Sequence, residues 1–213
     1  MFFVRPPFLI QKAFPSLIWR MQPEESSVLL TFDDGPIPGL TEEILTILKK
    51  FEVKATFFCV GDNIRKYPEI FKRIIKEGHS VGNHTFNHLA GWKTSGDDYQ
   101  KNIELCEDEI SHYGIQTKLF RPPYGKIKRS QIKQLISQGY KIVMWDVLSY
   151  DFHHEVSDEQ CLNNSIKYTR PGSIIVFHDN PKAEYKVKYT LPLYIEYCLQ
   201  AGLTFKKMEM KWN

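Results

Sequence analysis

Residues 28–60 read VLLTFDDGPIPGLTEEILTILKKFEVKATFFCV, and this stretch decides the fold. It opens on an apolar run, residues 28–32, with the length and character of a buried strand. Ile44, Leu48 and Phe51 then recur at helical spacing, with Thr41 as the expected cap. Glu42 and Glu43 fall in the first turn of that helix, where acids suit its dipole. A second apolar run, residues 55–60, follows at once. Strand, amphipathic helix and strand in about thirty residues make a βαβ unit with parallel strands.

The alternation continues to the end of the chain. Pro68 opens a helix with Ile70, Phe71, Ile74 and Ile75 inward and Gly78 closing it. Residues 80–83 form a short strand, and residues 96–113 a helix with Tyr99, Ile103, Cys106 and Ile110 on one face. Strands are expected at 118–120, 141–145, 173–177 and 204–207. Between them lie helices capped by Ser130, over 158–168 and over 190–200. About seven such units imply a parallel sheet with helices outside, and the tight period favours a closed or nearly closed α/β barrel. Neither G-x-G-x-x-G nor G-x-x-x-x-G-K follows the first strand, which argues against a nucleotide site. Residues 1–27 read as a Pro-containing lead-in packed on the outside of a barrel domain spanning 28–213.

Composition narrows the class. A chain of 213 residues holds one good core. Basic residues are spread along it and the net charge is only +3, so nucleic acid is not expected as a partner. Cys59, Cys106, Cys161 and Cys198 are widely spaced without a C-x-x-C pair, so reduced, buried thiols are expected. The first nineteen residues are apolar but interrupted by Pro6, Pro7 and Pro15 and by Arg5 and Lys12, unlike a signal peptide. No stretch has transmembrane length, and the chain as written is expected in the cytoplasm unless another export route serves it. Oligomeric state is left open.

Barrels of this kind carry chemistry at the carboxyl ends of their strands. Asp33 and Asp34 end the first strand, and His84 and His88 follow the third. Arg121 follows the fourth, Asp146 and Asp151 the fifth, and His178 and Asp179 the sixth. Neighbouring carboxylates at a strand end diverge, so one can bind a metal while the other stays free as a base. If the turn after the third strand is helical, His84 and His88 share a face and reach one ion. With Asp34 they make a two-His, one-carboxylate set that suits Zn²⁺ and also fits Co²⁺ or non-haem Fe²⁺. Arg121, stiffened by Pro122, can hold Asp33, and Asp151 can orient His178 and raise its pKa. Each feature has a plain structural alternative, such as a turn pair, a rim arginine or a core histidine. Five together at one rim weigh against a purely structural surface.

These residues resemble the motif set of the polysaccharide deacetylase family, the NodB-homology enzymes of carbohydrate esterase family 4. Thr31-Phe-Asp-Asp-Gly-Pro36 looks like its first motif, His84-Thr-x-x-His88 its second and Arg121-x-Pro-Tyr-Gly125 its third. Trp145-Asp-Val-Leu-Ser-Tyr-Asp151 and Ile174-x-Val-x-His-Asp179 look like the fourth and fifth. The resemblance implies a single distorted (β/α)7 barrel that removes acetyl groups from a sugar polymer. It implies a divalent metal, zinc first and cobalt in vitro, on Asp34, His84 and His88. Asp33 would be the general base and His178 the general acid; Arg121 would orient Asp33 and Asp151 would tune His178. The backbone N–H of Tyr124 would help hold the oxyanion. The family's substrates include chitin oligomers, peptidoglycan and acetylated xylan, and an acid suited to a leaving amine favours the N-acetylglucosamine polymers. Phe152 stands where the family usually has Trp, Leu148 replaces a common acid and Val176 a common Leu, which alters the groove wall. Two rival readings are a carbohydrate-binding pseudoenzyme and a non-haem Fe²⁺ oxygenase, the latter expected as an antiparallel jelly roll.

Overall fold

The computed structural model describes residues 3–22 and 26–209. Residues 1–2 and 23–25 of the expected lead-in, and 210–213 of the expected barrel domain, lie outside the described residues. One sheet contains β1 (Ser27–Asp33), β2 (Thr56–Cys59), β3 (Ser80–Asn83), β4 (Leu119–Phe120), β5 (Lys141–Ile142), β6 (Val147–Leu148), β7 (Ile174–His178) and β8 (Thr204–Lys206). The order is β5-β4-β3-β2-β1-β7-β6, with β8 also on β1, and every pair is parallel. Parallel pairing is what the αβ alternation requires, and it is incompatible with a jelly roll.

The two ends of this curled sheet are consecutive pieces of chain. β5 pairs with β4 and β6 with β7, and residues 143–146 cross between them. The lead-in fills that crossing: Ile18 N–H donates to Ile142 O (2.9 Å), Met144 N–H donates to Ile18 O (2.7 Å), and Arg20 bridges to Ser173. Of the fifth strand expected over 141–145 only β5 forms; residues 143–146 make the crossing, and β6 follows beyond the expected run. The crossing moves Asp146 off the expected rim. Its carboxylate meets Arg5 Nε at 3.0 Å and Ser173 Oγ at 2.7 Å, at the start of β7 and away from His178.

Strand parity sorts the core. Leu30, Phe32, Ile175 and Phe177 pack outward under α2 (Leu40–Lys50) and α8 (Glu184–Gln200) with Ile44, Leu48, Leu191 and Ile195. Leu29 and Ile174 face the lumen with Phe58, Leu119 and Val143. Alternation then puts Thr31, Asp33 and His178 on the lumen side as well. In α2 the cap position is Gly39, not Thr41. Thr41 Oγ1 instead accepts from Ile37 N–H (2.8 Å) and donates to Asp179 Oδ2 (2.7 Å). The helix expected from Ser130 begins at Arg129 with Lys128 at the cap position, and α8 begins at Glu184, before the expected 190. All four cysteines are buried and free. Among the described residues, no helix is long and apolar enough to cross a membrane.

Candidate active site

The rim is assembled by register. Asp33 on β1 is the partner of His178 on β7, so their Cα atoms sit about one strand spacing apart, about 4.8 Å. Further round, His84 N–H donates to Cys59 O and Arg121 N–H to Asn83 O, each at 3.0 Å, which holds the residues after β3 and β4 level with the rim. A groove of about 990 Å³ opens there, lined by Asp33, Asp34, His84, His88, Tyr124 and His178 among others. Arg121 and Asp151 are fully buried behind it.

Asp34 leaves the strand with φ 90, which separates its side chain from that of Asp33. Its Oδ1 lies 3.0 Å from His88 Nε2 and 3.4 Å from His84 Nε2. One ligand atom from each of the three lies within 4.8 Å of the others. His84 Nδ1 is 2.8 Å from Arg121 O, so Nδ1 carries the hydrogen and Nε2 offers its lone pair to the cluster. Burial works against the Asp34 carboxylate's charge, but the His84 and His88 imidazoles beside it, with His178 further off, hold its pKa well below the usual range. Two imidazoles and a carboxylate, one imidazole already fixed in the ligating tautomer, fit a divalent ion with positions left open.

The turn joining the histidines is not helical, so the shared helical face considered from the spacing is not what brings them together. Thr85 (φ 63) and His88 (φ 55) both adopt the left-handed region, and that fold of the loop brings the two rings together. Buried amides hold it. Asn83 Oδ1 accepts from Thr85 N–H (2.8 Å), and Asn102 Oδ1 accepts from Phe86 and Asn87 N–H (2.8 and 2.9 Å).

Arg121 lies in the lumen with its guanidinium 4.1 Å from the Phe58 ring centroid. Nη1 donates to Asp33 Oδ1 (2.7 Å) and Thr31 Oγ1 (2.8 Å). Nε and Nη2 donate to Val143 O (3.3 Å) and Met144 O (3.0 Å), on the crossing between β5 and β6. Burial lowers the arginine's pKa and Asp33 opposes that. Asp151 takes two bonds from one residue: His178 N–H to Oδ2 (2.6 Å) and His178 Nδ1 to Oδ1 (2.8 Å). Desolvation disfavours the imidazolium, yet Asp151, aided by Asp34 and Asp33, pushes the His178 pKa up to about 9. With Nδ1 occupied, Nε2 is the atom left to meet a substrate. Tyr124 (φ 59) sits in a tight turn over Pro123–Gly125, its ring edge-on to His88 at 4.6 Å. The turn's own bonds begin with Gly125 N–H to Pro122 O, and the Arg121 carbonyl before it is occupied by His84.

Sequence reasoning missed Asn63 and Asn180. Asn63 Nδ2 donates to the Asp34 carbonyl (2.8 Å), and Asn180 Nδ2 donates to Asp34 Oδ2 (2.6 Å). No local pattern flags either, since both contacts are long-range. Asp179, expected on the rim, is buried and accepts from Gly35 N–H (2.8 Å) and Thr41. Burial pushes its carboxyl up to about 8. A side chain at Gly35 would meet Asp179 Oδ2 at 1.8 Å, so only glycine fits that position. The expected groove-wall residues Leu148, Phe152 and Val176 do line the groove, Phe152 edge-on to His178 at 4.7 Å.

Residues 20–143 match the family described as polysaccharide deacetylase. A peptidoglycan-N-acetylglucosamine deacetylase of Bacillus cereus is 42% identical over 158 residues, covering 74% of this chain and 57% of that relative. The chain thus spans little more than half of that protein. A chitooligosaccharide deacetylase of Azorhizobium caulinodans is 33% identical over 163 residues, 75% of this chain and 77% of the relative. Among solved structures, a peptidoglycan N-acetylglucosamine deacetylase in complex with 4-naphthalen-1-yl-N-oxidanyl-benzamide superposes with TM-score 0.88 at 34% identity, covering 95% of each chain.

Proposed function

The chain belongs to the polysaccharide deacetylase family, and from that premise we propose that it is a metal-dependent hydrolase releasing acetate from N-acetylglucosamine-containing glycans of the chitin or peptidoglycan type. The observation that carries this reading is the meeting, at one rim, of a carboxylate held by a buried arginine and a histidine held by a buried carboxylate, beside a three-residue metal-type cluster. Asp34, His84 and His88 would hold the ion, zinc by donor set with cobalt as an in vitro substitute, and it would supply polarisation of the acetyl carbonyl and acidification of water.

The chain's own residues supply the rest. Asp33, kept in place by Arg121, accepts a proton from the water whose oxygen attacks the acetyl carbon. The Tyr124 N–H donates to the oxygen that becomes negative. His178, protonated at neutral pH because of Asp151, gives its Nε2 proton to the departing nitrogen as the C–N bond breaks. The products are acetate and a free amine on the sugar. Leu148, Phe152 and Val176 form an apolar wall that receives the acetyl methyl. The test is acetate release, with Zn²⁺ or Co²⁺ supplied, from chitooligosaccharides, peptidoglycan fragments and acetyl-xylan. Release from the first two is expected; no release from any, or faster release from acetyl-xylan, overturns the reading.

A further inference from the structure

Asp34 offers two oxygens, and the structure divides their tasks. Oδ1 faces both histidine Nε2 atoms at 3.0 and 3.4 Å. Oδ2 receives the Asn180 Nδ2 hydrogen at 2.6 Å. Asn180 is itself locked: its Oδ1 accepts from Lys182 N–H (2.9 Å) and Ala183 N–H (3.2 Å), in the turn that leads into α8. That geometry settles the amide's orientation, because an oxygen must face the two N–H groups and the nitrogen must then face Asp34. The other end of Asp34 is held by Asn63, which donates to its carbonyl at 2.8 Å.

We propose that Asn180 is a positioning residue that reserves Asp34 Oδ2, so that the carboxylate meets a metal through Oδ1 alone. The inference rests on the reading of Asp34, His84 and His88 as the metal site. A carboxylate held by one oxygen occupies a single position and leaves more of them open for water and substrate. Outer partners of this kind fix the orientation of a ligand, and their loss weakens metal binding about 10- to 100-fold. Asn180 does this from the segment after β7, 146 residues away in the chain from the ligand that it holds.

The experiment measures Zn²⁺ affinity of the full chain by competition with a chromophoric chelator, for wild type, Asn180→Ser, Asn180→Ala and His84→Ala. Serine keeps an oxygen that can accept from Lys182 and Ala183 N–H but is too short to reach Asp34. Both Asn180 variants are expected to bind Zn²⁺ about 10- to 100-fold more weakly, with the metal-free Tm of the serine variant close to wild type. An Asn180→Ser variant that binds Zn²⁺ as tightly as wild type overturns the inference, since the amide would then only shape the turn. If wild type and His84→Ala bind Zn²⁺ alike, the reading of the site itself fails. Those two failures are distinct.

Discussion

Asp33 and Asp34 are covalent neighbours in unlike surroundings. Asp33 faces the lumen and a buried guanidinium; Asp34 faces two imidazoles. Asp33→Asn leaves the metal ligands untouched, so the protein should keep its Zn²⁺ and lose about 10² to 10⁴ in turnover, as loss of a general base does. Asp34→Asn should lose metal affinity and activity together, with partial rescue by excess Zn²⁺. Titrating metal against acetate release separates them, and reversed behaviour would reverse the roles. For His178, the folded pKa of about 9 lies above its ordinary 6.5. The Asp151 pair therefore stabilises the fold fully below 6.5 and loses that contribution as pH rises through about 9. Ring-nitrogen NMR of the metal-free protein should show a midpoint near 9 in wild type and a lower one in Asp151→Asn; equal midpoints would remove Asp151 as the cause. These residues were legible in the sequence because reactive types fell at successive strand ends. Asn180 was not, because an asparagine in a polar turn carries no sign of a partner on another strand.

Elements differ in how much of themselves they announce. The run from Val28 to Phe32 and the stripe of Ile44 and Leu48 declare a strand and a helix, because one face of each must be buried. The short helix α3 (Gly61–Lys66) declares nothing, having only Ile64 and Gly61 buried and no repeat to reveal it. The loop between His84 and His88 also resisted reading. Its form depends on positive φ at Thr85 and His88, residue types that do not signal that conformation, and on Asn102 reaching in from α5 (Gly96–Ser111). Asn102→Ala should leave Phe86 N–H its bond to the Asn102 carbonyl (3.0 Å) but strip the Asn87 N–H of its acceptor, costing about 1–3 kcal/mol where that group stays dry. The loop carries His88, so the variant should also gain less Tm on Zn²⁺ addition than wild type does. Thermal melts with and without Zn²⁺ check both, and an equal gain would show that His88 is placed without Asn102.

At the scale of the whole molecule, closure of the curled sheet depends on parts that a strand-by-strand reading treats separately. Val143 N–H donates to Phe120 O of β4, Met144 N–H to Ile18 O and Asp146 N–H to Ile174 O of β7, while Arg121 donates to the Val143 and Met144 carbonyls from inside. The alternation of strands and helices made the barrel legible. The break between β5 and β6 was not, since 141–148 contains no Gly or Pro to mark it. Asp146 is the consequence: an acid next to a catalytic-looking strand end that belongs to the other end of the barrel. It accepts from Ser173 Oγ (2.7 Å) and pairs with Arg5 (3.0 Å), with Arg170 at 3.5 Å, and so ties the lead-in to the start of β7. Arg5 and Arg170 keep partial solvent access, so removing the carboxylate strands no deeply buried cation. Asp146→Ala should therefore lower stability by about 1–3 kcal/mol, the loss of charged hydrogen bonds. On a chain of this size that is a fall in Tm of about 2–12 °C. The lead-in should become sensitive to limited proteolysis, while Zn²⁺ affinity and acetate release per folded molecule stay at wild-type values. Reduced Zn²⁺ affinity in folded Asp146→Ala protein would place this acid in the site after all and contradict the separation of the two ends.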